Sequence, residues 1–99
     1  MLLIRDIVYC KPGKVRPMVE KALAMNKIGV KKGQPKMRIL TDLSAERFWT
    51  IVMETETESV EAFMNMMSDT EDMKEMEEIL KGYHDLVESG RREIYTIEG

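Results

Sequence analysis

The stretch Leu2-Leu3-Ile4-Arg5-Asp6-Ile7-Val8-Tyr9-Cys10 decides the fold. It is rich in β-branched and aliphatic residues and too short for a typical helix, so it reads as a strand. Leu3, Ile7 and Tyr9 fall on one face, and Leu2, Ile4, Val8 and Cys10 on the other. A strand that is apolar on both faces is covered on both sides, which puts it in the centre of a sheet. Arg5 and Asp6 interrupt the two faces in turn.

Working outward, Lys11-Pro12-Gly13 ends this strand. Val15, Met18, Val19, Ala22, Leu23 and Asn26 then follow helical spacing. Pro17 sits in or near the first turn, where its missing N–H does little harm. Gly29 and Gly33 are expected to close the helix and the loop after it. Residues 36–43 alternate, Met37, Ile39 and Thr41 against Arg38, Leu40 and Asp42. Residues 48–55 alternate again, Phe48, Thr50 and Val52 against Trp49, Ile51 and Met53. Ser44-Ala45-Glu46-Arg47 between them reads as a hairpin connection, so these two strands are expected to be antiparallel neighbours. Val60, Phe63, Met64 and Met67 open a second helical stripe. Ser68-Asp69-Thr70-Glu71 has the form of a capping box, so a break and restart is expected there. Met73, Met76, Leu80, Tyr83 and Val87 continue the stripe, Ser89-Gly90 reads as its stop, and residues 91–98 form the last strand.

The element order is therefore β-α-β-β-α-β. It predicts an α+β, ferredoxin-like domain spanning residues 1–99, with a four-stranded antiparallel sheet and both helices on one face. Every strand also carries apolar or aromatic residues for the opposite face. Left in water, those would form a large apolar patch, which a monomer rarely tolerates. A homodimer packed sheet to sheet is the expected partner arrangement.

With this order in place, the chain resembles the dimeric α+β barrel superfamily. Its small members include antibiotic-biosynthesis-type monooxygenases and many uncharacterised proteins. The resemblance rests on Lys11-Pro12-Gly13-Lys14, on Thr41-Asp42 before the hairpin, and on Gly90-Arg91-Arg92-Glu93-Ile94-Tyr95. It covers nearly the whole chain. None of these motifs is catalytic, so it speaks to fold and not to activity. The resemblance implies a cleft between the sheet and its helices. The haem-degrading members place an asparagine near the position of Asp6, an aromatic on the second helix and a histidine soon after. Here the comparable helical position is about Met66, and residues 69–78 contain no histidine. Haem degradation is disfavoured.

Composition bounds the remaining classes. With 43% hydrophobic residues in 99, the chain has material for one core and is not of disordered type. No apolar run approaches the roughly 20 residues of a membrane helix. Cys10 is the single cysteine, so no intrachain disulfide or cysteine metal cluster is open to it. The leader-like features of a secreted chain are missing from the first residues, so a cytoplasmic location is expected. The net charge of −3 hides an asymmetry: residues 1–47 carry eleven Lys/Arg against four Asp/Glu, and residues 48–99 four against fourteen. The halves could pair across a surface, or stand as two solvated faces. Lys27, Lys31, Lys32, Lys36 and Arg38 form a basic stretch without interleaved aromatics in an acidic domain, so nucleic-acid binding is disfavoured.

The candidates for chemistry are few. Asp6 and His84 are the candidate catalytic groups, as a polar anchor in an apolar cleft and as a proton relay with Glu88 one turn later. No triad or metal set surrounds His84, and the acidic run at residues 69–78 lacks the glycine and spacing of a calcium loop. No metal and no cofactor are called for. Asp6 and Arg5 would cost free energy in an apolar strand unless paired, with Glu93 or Arg92 on the last strand as candidate partners. The candidate ligand-binding set is Arg5, Tyr9, Trp49, Phe63, Met64, Met67, Tyr83 and Tyr95. The chain has ten methionines, and those of the second helical region either fill core or form an adaptable apolar surface. Three functions remain open: a dimer that binds a small apolar or aromatic molecule, a cofactor-independent monooxygenase or isomerase, and a structural or regulatory dimer.

Overall fold

In the computed structural model the first strand, β1, spans Leu2–Cys10 and lies inside a four-stranded sheet, as its two apolar faces require. The structure describes every residue except Asp72. The other elements are α1 (Val15–Lys31), β2 (Arg38–Thr41), β3 (Thr50–Thr57), α2 (Val60–Glu71), α3 (Lys74–Leu80), a 3-10 turn at Tyr83–Asp85, and β4 (Val87–Thr96). The strand order is β2-β3-β1-β4, and every neighbouring pair is antiparallel. This is the ferredoxin-like arrangement.

The register assigns each strand residue to a face. Ile4 stands between Thr55 and Ile94, and Val8 between Ile51 and Gly90. These belong to the side that carries the helices, where Cys10, Met18, Val19 and Ile51 form the buried cluster. Val15, Ile39, Met53, Tyr83, Leu86 and Val87 pack against it. The other side carries Leu3, Arg5, Ile7 and Tyr9 of β1, with Val52 and Glu54 of β3 and Arg91 and Glu93 of β4 opposite them. Among the described residues no helix covers this side.

Several boundaries differ from the sequence reading, each for a local reason. α1 runs five residues past Asn26 and contains Gly29, which is buried there. Asn26 instead ties the helix to the start of β2: its side chain accepts from the Met37 N–H at 2.8 Å and donates to the Met37 carbonyl at 3.2 Å. β2 is only four residues long, and β3 starts at Thr50, so Phe48 and Trp49 lie in the connection and not in the strand. Asp42 sets that boundary by accepting from the Thr50 N–H at 2.8 Å. The expected break and restart does occur, with α2 ending at Glu71 and α3 beginning at Lys74, but Ser68 is not its cap. Ser68 lies inside α2, and the Thr70 hydroxyl bonds back to the Met66 and Met67 carbonyls. The cap in use is Ser59, whose Oγ accepts from the Ala62 N–H at 3.0 Å.

The helical stripe also ends early. α3 stops at Leu80, and Gly82 takes the left-handed conformation (φ 82°) that turns the chain toward β4. Ser89 and Gly90 are strand residues and not a helix stop. A Cβ on Gly90 would lie 3.0 Å from the Ile7 carbonyl oxygen, so glycine here lets β4 sit close to β1. The two helical units are joined by Lys21 of α1, whose ammonium donates to the Ile79 and Lys81 carbonyls, both at 2.7 Å. This satisfies the C-terminal end of α3 with a cation.

Ile51 is fully buried, whereas Leu23 on α1 is 52% exposed. Ile51→Ala is expected to cost about 2–5 kcal/mol in denaturant unfolding, and Leu23→Ala about 0.5 kcal/mol. Equal costs would contradict this placement of the core.

Candidate functional site

The open side of the sheet is not simply apolar. A row of paired charges crosses it. Glu54 is only 7% exposed and sits between two guanidinium groups, with Arg5 Nε donating to its Oε2 at 3.0 Å and Arg38 Nη2 to its Oε1. Arg5 Nη1 also reaches Glu93 Oε1 at 3.4 Å. Glu93 accepts from the Tyr95 hydroxyl at 2.9 Å and from Arg91 Nε at 3.1 Å. Arg91 in turn donates to the Tyr9 hydroxyl, and Arg47 lies over the Tyr9 ring at 4.2 Å. The Tyr95 hydrogen bond, with Arg91 next, holds the Glu93 carboxyl below its ordinary value of 4.5. So Arg5, Tyr9 and Tyr95 of the candidate set belong to this face.

Asp6 points to the helix side, where both of its oxygens accept from Arg92, at 2.5 and 3.4 Å. Arg92 also lies over the Phe63 ring, 4.9 Å from its centroid. Both charges of β1 therefore pair with β4, Arg5 with Glu93 and Asp6 with Arg92. Phe63 is buried, while Met64 and Met67 are exposed on α2. Tyr83 packs at the edge of the core and stacks on His84, with ring centroids 4.1 Å apart. His84 is exposed in the 3-10 turn and not on a helix. Glu88 is on β4 and pairs with Arg47, so the proposed relay from His84 to Glu88 is not assembled. Cys10 is buried, and burial pushes its thiol above 9.0, which keeps it protonated and inert near neutral pH. Among the described residues no group of three or more His, Cys, Asp or Glu is placed to hold a metal ion. No described helix is long and apolar enough to cross a membrane.

The candidate ligand residues are thus divided between the two sides of the sheet and do not meet in one place. A broad concavity lies elsewhere. It is a cleft of about 680 Å³ at the end of the sheet where β1 begins and β3 finishes. Its walls are the turn Lys32–Pro35 after α1, the β3 end at Glu56–Glu58, Met1, and one face of α2 with Met73 beyond it. On α2 the lining residues are Ala62, Asn65, Met66 and Asp69, which recur at the spacing of a single helical face. The floor is therefore methionine and alanine, and the rim carries Glu56, Glu58, Asp69 and Lys32. The signal for this face was present as a 62-66-69-73 periodicity. The adjacent stripe on α2 holds Phe63, which is buried, and Met67, which is exposed.

A second, smaller cleft of about 330 Å³ opens at the opposite end of the sheet, between α1 and the β2–β3 connection. Val15, Arg16, Thr41, Asp42, Phe48 and Trp49 line it.

No protein-family model and no curated protein matches this chain. Solved structures do match it along its whole length. An uncharacterised NIPSNAP domain protein from Burkholderia xenovorans superposes with a TM-score of 0.80, over 98% of this chain and 94% of that one, at 11% identity. A protein from Nitrosomonas europaea, described as a candidate antibiotic biosynthesis monooxygenase, gives 0.75 over the whole of both chains at 13% identity. A NIPSNAP family protein of unknown function from Agrobacterium tumefaciens gives 0.78, over 96% of this chain and 86% of that one, at 13% identity. At these identities the likenesses show the ferredoxin-like α+β fold.

Because the folded-state value of Glu93 is depressed, the stability it contributes is present above pH 4.5 and is lost as pH falls through that lower value. The thermal midpoint of wild type should therefore drop more steeply between pH 5 and about pH 3 than that of Glu93→Gln. Parallel curves would show that the Tyr95 and Arg91 contacts do not hold this carboxylate.

Proposed function

We propose that the chain works as a homodimer, sheet to sheet, that binds a small, largely apolar molecule in the cleft between α2 and the α1–β2 turn. The observation that carries the ligand reading is the cleft itself. Its volume of about 680 Å³ falls within the range of roughly 300–1,000 Å³ usual for small-molecule sites. Its floor of Met1, Met66 and Met73 is apolar and deformable, which suits ligands of varied shape. The polar rim would fix orientation.

Support for binding over catalysis comes from what stands apart from this cleft. Asp6 is engaged by Arg92, and His84 lies beyond α3; neither lines the walls. The monooxygenase description belongs to the Nitrosomonas europaea protein, whose 13% identity carries the fold only.

The dimer reading rests on the uncovered side of the sheet. Leu3, Val52 and Tyr95 keep exposed surface there, beside Ile7 and Tyr9, which are buried, and around charges that are already paired within the chain. The chain is a slab of 35 × 35 × 18 Å, so its broad face exceeds the roughly 800 Å² per partner of a standard interface.

Binding is expected to be visible as a saturable rise in the fluorescence of 1-aminoanthracene, a neutral apolar probe. Ala62→Phe fills the cleft from an exposed position, so the core is untouched. It should weaken binding about tenfold or more, while Leu43→Ser, at a fully exposed position that lines neither cleft, leaves it unchanged. Equal binding by wild type and Ala62→Phe would remove the cleft from consideration.

A further inference from the structure

The connection Asp42–Trp49 has features that neither the core nor the methionine cleft uses. Phe48 is 82% exposed and Trp49 is 43% exposed, although both are large and apolar. Trp49 also holds a left-handed backbone, φ 62°, the single non-glycine residue to do so among those described. For a bulky side chain this conformation is strained and persists only where its surroundings impose it. Here they do. The Trp49 carbonyl accepts from the Cys10 N–H at 2.8 Å, the Thr50 hydroxyl donates to the Arg47 carbonyl at 2.8 Å, and Asp42 holds the Thr50 N–H.

The result is a shaped recess rather than a frayed loop. Phe48 and Trp49 stand on one side of the 330 Å³ cleft, with Val15 and Arg16 of α1 on the other. Two aromatic rings and a valine offer flat apolar walls. The two charged groups in the recess are not equivalent. One oxygen of Asp42 is already held by the Thr50 N–H, whereas Arg16 makes no ion pair or side-chain hydrogen bond among the described residues. Its planar, always charged guanidinium is suited to a carboxylate or sulfonate presented edge-on.

We propose that this recess is a second ligand site, which takes a planar aromatic molecule bearing an anionic group, the ring against Phe48 and Trp49 and the anion on Arg16. The site is independent of the methionine cleft, which lies at the other end of the sheet. It stands whether or not that cleft is occupied.

Trp49 is the only tryptophan, so its emission reports on this recess alone. The probes are 4-nitrobenzoate, neutral nitrobenzene and cationic 4-nitrobenzylamine, titrated against the full chain. Saturable quenching by 4-nitrobenzoate is expected, with only linear collisional quenching by 4-nitrobenzylamine. Arg16→Ala, at an exposed position, should raise the half-saturation of 4-nitrobenzoate about tenfold and leave nitrobenzene unchanged. Linear quenching by all three probes would overturn the proposal, as would saturation insensitive to Arg16→Ala. So would a Phe48→Ser chain that loses self-association by sedimentation yet keeps 4-nitrobenzoate quenching intact, since the aromatics would then belong to an interface.

Discussion

A four-stranded sheet with helices on one side has to account for its other side, and here the account turns on Glu54. This carboxylate lies almost at the centre of the uncovered face and is nearly buried. A charge taken so far out of water is tolerated only where counter-charges and hydrogen bonds meet it. Arg5 on β1 and Arg38 on β2 supply them from either side, and Arg5 extends the row to Glu93 on β4. One ion-pair row thus ties all four strands together across their hydrogen-bonded ladder. It also changes what this face can be. A purely apolar face would bury itself against almost any apolar surface. A face with internally neutralised charges between Leu3, Ile7 and Val52 favours a partner whose own pattern matches, because an unmatched charge would cost more than the apolar contact returns.

The two ends of the sheet are put to different uses. At one end, Asn26, the α1–β2 turn and the α2 cap at Ser59 hold a wide, deformable cleft open. At the other, Asp42, Thr50 and the strained Trp49 hold a narrower recess with flat walls. Between them the helix side is filled, with Ile4 and Ile51 fully buried. The methionine-lined cleft lies at the end of the sheet where β3 finishes, and none of the candidate ligand residues lines it.

The strand order and the side on which each β1 residue lies were legible in the sequence, because period-two alternation directly encodes faces. The pairing of Arg5 and Asp6 with Glu93 and Arg92 was legible for the same reason: charges on a central strand need partners on the next one. Boundaries were less so. Ser68 imitates a cap but lies inside its helix, and Phe48 and Trp49 imitate a strand because nothing in their residue types announces a left-handed turn. The charged character of the open face was underestimated because Arg38, Glu54, Glu93 and Arg91 are far apart in the sequence, and only the register brings them into one row. Ligand candidates chosen for aromatic character scattered over both sides of the sheet. The cleft itself is floored by small and flexible side chains such as Ala62 and Met66, which carry little signal of their own.

The central claim is that the Glu54 side of the sheet is closed by a second copy of the chain. Sedimentation equilibrium at micromolar concentration tests it most directly, on wild type and on Val52→Glu, which places an unpaired charge on that side next to Ile7. The account predicts about twice the 11.5 kDa chain mass for wild type and a single-chain mass for a still folded Val52→Glu. A wild-type chain that sediments at 11.5 kDa, or a variant that stays paired, would contradict it.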